Sequence, residues 1–179
     1  GICCYEYIRS QTRNIVTANK IHTISGVNPN GAGGAGIYIM GEGGDTIADN
    51  EIWNCCINTA NETLTPAGIG VNLRSDDPDD NSTGTMIRNN TISRMAQYDC
   101  IRVVGSGPNH GVTIPGNTLS QHAANGKGIR LINTSSFALT GNTIDSPTTG
   151  TPGSLIEVQS TTVAVTTGAI TGNTLQGGT

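Results

Sequence analysis

The chain has 179 residues, a net charge of −4 and a pI near 5.2; 35% of residues are hydrophobic, 3% aromatic and 12% charged. That is too little apolar and aromatic mass for a globule with a wide core, and too little charge for an ordinary disordered chain, while the length suits one domain over residues 1–179. No basic stripe is present to neutralise phosphates, and no apolar run nears the roughly 18 residues that span a bilayer, so neither nucleic-acid binding nor membrane insertion is expected.

The elements come in pairs along the chain. Gly1-Ile2 opens a first segment that reaches the phrase TANKI (17–21), and GIYIM (36–40) is followed by ADNEI (48–52). The pairs continue with GIGVN (68–72) and RNNTI (88–92), CIRVV (100–104) and PGNTL (115–119), GIRLI (128–132) and TGNTI (140–144), and LIEVQ (155–159) and TGNTL (171–175). The first phrase of each pair alternates apolar with other residues, the period of a strand with one buried face. The second centres on Asn19, Asn50, Asn90, Asn117, Asn142 and Asn173, spaced by 31, 40, 27, 25 and 31 residues. A fixed skeleton with variable spacing describes coils joined by loops of unequal length. No stretch keeps a 3.6-residue period, and glycine interrupts most of them, so helix is not expected.

Superposing the phrases produces apolar columns. Val16, Ile47, Ile87, Ile114, Leu139 and Ile170 stand three residues before each asparagine; Ile21, Ile52, Ile92, Leu119, Ile144 and Leu175 stand two after it. Ile37, Ile69, Ile101, Ile129 and Ile156, then Ile39, Val71, Val103, Leu131 and Val158, form two more. Stiff β-branched side chains stacked one rung apart would line the interior of a solenoid. The expected fold is all-β, a right-handed parallel β-helix of about six coils. Its asparagines should form a ladder, because asparagine fits tight corners and a buried amide needs partners that the next coil can supply. The start, Gly1-Ile2-Cys3-Cys4, has no Met and no basic leader, and neither end shows a polar cap; the chain therefore reads as part of a longer one. Five cysteines (3, 4, 55, 56 and 100) without C-x-x-C spacing read as buried thiols rather than as disulfides or a zinc site.

The G-I-x-V/L strand and the G-N-T-I/L turn, repeated over nearly the whole length, resemble the pectin-lyase-like parallel β-helix superfamily, which includes polysaccharide lyases, polygalacturonases, epimerases and phage tailspike depolymerases. The resemblance implies a polysaccharide partner and an extracellular or virion-surface setting. It also implies that the asparagine turn joins the second and third strands, and that outward residues of the first strand wall a substrate groove. On this reading Arg102, Arg130 and Glu157, on three successive coils, are the catalytic candidates. Tyr38, Asn72 and Gln159 line the same face as substrate-binding candidates. Arg130-Leu131-Ile132 and Asn109-His110-Gly111 loosely resemble polygalacturonase motifs, but N-T-D is missing and the Lys is replaced by Ile. Trimeric association, as in tailspikes, would help cover the solenoid.

Each candidate has a plainer reading. The Arg-Arg-Glu column suits carboxylate recognition through the guanidinium fork, yet equally a surface charge ladder. Trp53 belongs to a column three residues after each asparagine (His22, Trp53, Ser93, Ser120, Asp145, Gln176); it offers an aromatic face to a sugar, or simply packs. Asp76, Asp77, Asp79 and Asp80 could hold Ca2+, although their spacing does not match the D-x-D-x-D-G loop and a solvated turn is the simpler account. No metal site is otherwise indicated, and no cofactor. Acidic pairs suitable for glycoside hydrolysis are sparse, Asp99 with Glu157 being the conceivable one. GAGGAG (31–36) leads into a strand rather than a helix, so it is not a nucleotide loop. The leading expectation is a β-helix that binds, and in an enzymatic form cleaves, a polysaccharide. The alternatives are a non-catalytic structural or adhesive segment and a secreted bacterial lyase or epimerase.

Overall fold

A computed structural model describes residues 1–5, 13–24, 35–41, 43–55, 67–73, 84–95, 99–106, 110–120, 126–145 and 155–176. The first circuit of the chain contributes β1 (Ile2–Tyr5), β2 (Ile15–Thr17) and β3 (Lys20–His22); the second β4 (Ile37–Gly41), β5 (Thr46–Ala48) and β6 (Glu51–Trp53). The third contributes β7 (Ala67–Leu73), β8 (Thr85–Arg88) and β9 (Thr91–Ser93); the fourth β10 (Asp99–Gly105), β11 (Gly111–Pro115) and β12 (Thr118–Ser120). The last two contribute β13 (Ile129–Ile132), β14 (Ser136–Thr140) and β15 (Thr143–Asp145), then β16 (Ile156–Gln159), β17 (Thr167–Thr171) and β18 (Thr174–Gln176). Every third strand pairs in parallel with the next of its kind, giving three six-stranded sheets: sheet 1 from β1 to β16, sheet 2 from β2 to β17 and sheet 3 from β3 to β18. This is a parallel β-solenoid.

The registers are those the columns demand. Ile37, Ile69, Ile101, Ile129 and Ile156 are successive partners in sheet 1. Val16, Ile47 and Ile87 align in sheet 2, and Ile21, Ile52, Ile92, Leu119, Ile144 and Leu175 in sheet 3. From Val16 and Ile21 to Leu139 and Ile144 these side chains form one continuous core, with Ile156 packed against it. Each fully buried Ile or Leu contributes roughly 1.5–3 kcal/mol from water exclusion. On the last described rung Ile170 and Leu175 are 50% exposed.

The strands of sheet 1 do not alternate from their first residue. Cys100 and Ile101 are consecutive, and both lie in the core. Gly36, Gly68 and Gly128 occupy the position equivalent to Cys100. A Cβ there would come within 2.6, 2.7 and 2.3 Å of the Cγ2 atoms of Ile52, Ile92 and Ile144, so at these three rungs the corner has no room for a side chain, whereas the fourth accommodates Cys100. Two consecutive inward positions shift the phase of the strand. Asp99 and Arg102, three apart, are thereby brought onto one outer face.

The asparagines mark the corner between sheets 2 and 3. The Nδ2 of Asn19, Asn50, Asn90, Asn117 and Asn142 donates to the Oδ1 of the next asparagine at 2.8–3.0 Å. The backbone N–H of each donates to the same oxygen. The second amide proton donates back to a carbonyl of the preceding coil: Asn50 to Val16, Asn90 to Ile47, Asn117 to Ile87, Asn142 to Ile114, Asn173 to Leu139. A buried primary amide is thus satisfied on every side. Cys55 and Cys100 are core residues, and burial pushes the Cys55 thiol above its ordinary range.

Candidate functional site

The outer face of sheet 1 gathers five charged residues, Asp99, Arg102, Lys127, Arg130 and Glu157. Arg102 on β10 is the register partner of Arg130 on β13, and Arg130 is that of Glu157 on β16. The three residues expected to share a column do so. Arg130 Nη2 lies 3.0 Å from Glu157 Oε1, and Lys127 Nζ lies 3.5 Å from Glu157 Oε2, so one carboxylate bridges two cations. Arg102 Nε is 3.9 Å from Asp99 Oδ2, an electrostatic contact too long for a hydrogen bond. Asp99 Oδ1 accepts the Lys127 backbone N–H at 2.7 Å, joining β10 to the start of the next coil.

Burial differs steeply across this group. The Asp99 side chain is 3% exposed, whereas those of Arg130 and Glu157 are each 28% exposed. Asp99 forms the floor, and the other charges its upper surface. Desolvation pushes the Asp99 carboxyl above its ordinary range; the Lys127 N–H bond and the charges of Arg102 and Arg130 pull it back, and Glu157 adds to the rise. Three cations face two carboxylates, so the patch is cationic on a chain that is acidic overall.

The other expected site residues fall in three places. Asn72 and Gln159 occupy the neighbouring outward column, at register positions shared with Val104 and Ile132 respectively. Tyr38 is not on an open wall: it is 3% exposed, packs with Ala35 and Met40, and donates its hydroxyl to Met40 Sδ at 3.7 Å. Gly70, its partner on β7, has no side chain to extend that part of the column. Trp53 lies on sheet 3, apart from the charged column, where His22 stacks on it at 4.7 Å and 14°. One ring face is covered by His22 of the preceding coil. The Asp76–Asp80 loop and Asn109 lie outside the described residues. His110 is buried; its Nδ1 accepts the Ser106 N–H, and its carbonyl accepts from Ser135.

Lys127 escaped the sequence reading. Its signal is that Asp99 and Lys127 both stand two residues before the first paired isoleucine of their strand (Ile101, Ile129), which places them at equivalent corners of successive coils.

Residues 1–144 match the family described as right handed beta helix region. The chain belongs to that right-handed β-helix family. The match ends after β14 and within β15, yet β16, β17 and β18 continue the same three sheets in register, so the charged column straddles the boundary of the matched region. No curated protein and no solved structure gives a significant match.

Proposed function

We propose that this β-helix binds an acidic polysaccharide across the outer face of sheet 1, from β10 to β16. The observation that supports it is the cationic patch of Arg102, Lys127 and Arg130 gathered on one face of an otherwise acidic, charge-poor chain. Parallel strands rise about 4.8 Å apart, so the column spans about 10 Å, enough to meet consecutive groups of an extended polymer. Guanidinium groups suit carboxylates because their planar fork donates two parallel bonds. A setting on an extracellular or virion surface, as a homotrimer of the tailspike kind, belongs to the same proposal; sedimentation of the purified chain tests the trimer.

Binding has more support in this geometry than cleavage. Hydrolysis needs two carboxylates about 5–10 Å apart that both reach the glycosidic bond, and Asp99 lies beneath the surface that a polymer would touch. Cleavage would instead draw on Arg102, Arg130 and Glu157 at the surface. The second reading, a purely structural or adhesive segment, is favoured by the pairing of Arg130 and Lys127 with Glu157 inside the chain.

Incubating the chain with capsular and pectic polysaccharides, reading retention and product length, separates these readings. The expected outcome is salt-sensitive retention of acidic polymers and at least about tenfold weaker binding by Arg130→Ala, the scale of one charge-assisted contact. If no polymer is retained or shortened, and Arg130→Ala changes nothing, the structural reading stands in its place.

A further inference from the structure

The Glu157 carboxylate occupies the two cations that the proposed ligand would need. Oε1 takes Arg130 at 3.0 Å and Oε2 takes Lys127 at 3.5 Å, so both oxygens of a single carboxylate are spent on two positive groups from the preceding coil. The arrangement is what a bound uronate or other acidic sugar would make, with its own carboxylate in that position. From this juxtaposition we infer that Glu157 is an internal counter-anion, a built-in competitor that sets both the affinity and the selectivity of the patch. The inference rests on the acidic-saccharide reading above and adds the residue that regulates it.

Three physical points carry it. The pair is accessible: Arg130 and Glu157 side chains are each 28% exposed and Lys127 16%, so a solvent-borne anion can reach the cations and water can receive the displaced carboxylate. The pair is weak: part-exposed ion pairs contribute about 0–1 kcal/mol, so exchange is inexpensive. The exchange is selective: a neutral polymer supplies no charge to replace Glu157 and would strand two cations, whereas an acidic polymer restores neutrality and can add contacts at Arg102 on the next rung. A polymer that meets Arg102, Lys127 and Arg130 together competes with one tethered carboxylate through multivalency. Asp99 cannot play the same part, because its carboxyl lies buried and is committed to the Lys127 N–H.

The test compares the wild type with Glu157→Gln and Glu157→Ala. Asp145→Asn serves as a control that removes one negative charge on sheet 3, away from the patch. Circular dichroism confirms that each variant is folded. Oligogalacturonate and a neutral oligoglucan of matched length are titrated calorimetrically at low and moderate salt. The expected result is that both Glu157 variants bind oligogalacturonate about fivefold more tightly than the wild type, the factor that corresponds to one surface pair. The gain should shrink with salt, be absent for the glucan and be absent in Asp145→Asn. If oligogalacturonate binds the wild type but no more tightly to the Glu157 variants, or if Asp145→Asn gains as much, the counter-anion role is overturned while the binding reading survives. If none of the four proteins binds either oligomer, both fall.

Discussion

Two polar columns run along this solenoid, and they behave as opposites. At the corner between sheets 2 and 3, the amides of Asn50, Asn90, Asn117 and Asn142 are each 1% exposed, and every one meets a neighbouring amide and a backbone carbonyl. On the outer face of sheet 1, Asp99 Oδ2 and Arg130 Nε are buried without a hydrogen-bond partner among the described residues; Asp99 Oδ1 takes the Lys127 N–H, and the charged side chains meet in ion pairs of 3.0–3.9 Å. Both columns use the same rung spacing. What separates them is saturation: the ladder has no valence left for a ligand, and the charged column is held together only loosely. A polar column earns a structural role when its bonds close on themselves, and becomes a candidate surface when they do not.

The sharpest way to break that comparison is to cut the ladder. Asn117→Ala strands the N–H and Nδ2 of Asn90, which both donate to its Oδ1, and the carbonyl of Ile87. At about 1–3 kcal/mol for each buried unsatisfied group, partly relieved by relaxation, the expected loss is about 4 kcal/mol in urea unfolding. The same change at Asn173, half-buried on the last rung, should cost only about 1–2 kcal/mol. Equal losses at the two sites would mean that burial does not set the strength of the ladder.

The charged column should respond to pH where the ladder does not. The folded chain raises the Asp99 pKa, so it holds that proton more tightly than the unfolded chain. Stability contributed by the neutral acid is therefore present at low pH and is lost as pH rises from the ordinary aspartate range through the folded value. Asp99→Asn keeps an acceptor for the Lys127 N–H and removes the ionisation. In urea titrations from pH 3 to 8, stability of the variant relative to wild type should climb with pH. A flat difference would show that Arg102 and Arg130 offset the desolvation fully. Smaller still is the stability effect of Arg130→Ala, expected below about 1 kcal/mol because the pair is part-exposed. A larger loss would make the column a structural ladder after all.

The sequence exposes the ladder and the apolar columns because they recur at fixed offsets, and recurrence is what a solenoid writes into a chain. Arg102, Arg130 and Glu157 could be placed in one column by the same offsets. Lys127 needs a further step, the offset it shares with Asp99 before the strand, because Cys100 and Gly128 interrupt alternation at that corner and simple period-two counting puts the wrong residues outside. Nor could the burial of Tyr38: alternation says which face it is on, and packing with Ala35 and Met40 decides whether that face is open. Trp53 and His22 share the column three residues after each asparagine, so the offsets place them on neighbouring rungs; that the two rings lie flat on one another is a matter of side-chain rotamers, which the pattern does not record.

The finest distinction lies in the residue before each ladder asparagine, which always takes positive φ: Ala18 at 56°, Asp49 at 58°, Asn89 at 54°, and Gly116, Gly141 and Gly172 at 63–67°. For an L-residue that conformation costs roughly 1–2 kcal/mol, and asparagine, aspartate and glycine tolerate it for different reasons, whereas alanine has neither a local hydrogen bond nor a missing Cβ in its favour. Ala18 is exposed, so replacing it removes little packing. Ala18→Gly should therefore stabilise the chain by about 0.5–1 kcal/mol, after the entropy of glycine in the unfolded state is offset, and raise Tm by about 2 °C. Gly141→Ala provides the reciprocal change: a Cβ there would meet nothing within 4 Å, so any loss reports backbone strain alone. It should fall by about 1 kcal/mol. If both substitutions are silent, the corner is relaxed enough to accept any residue, and ladder bonding rather than backbone geometry fixes the turn.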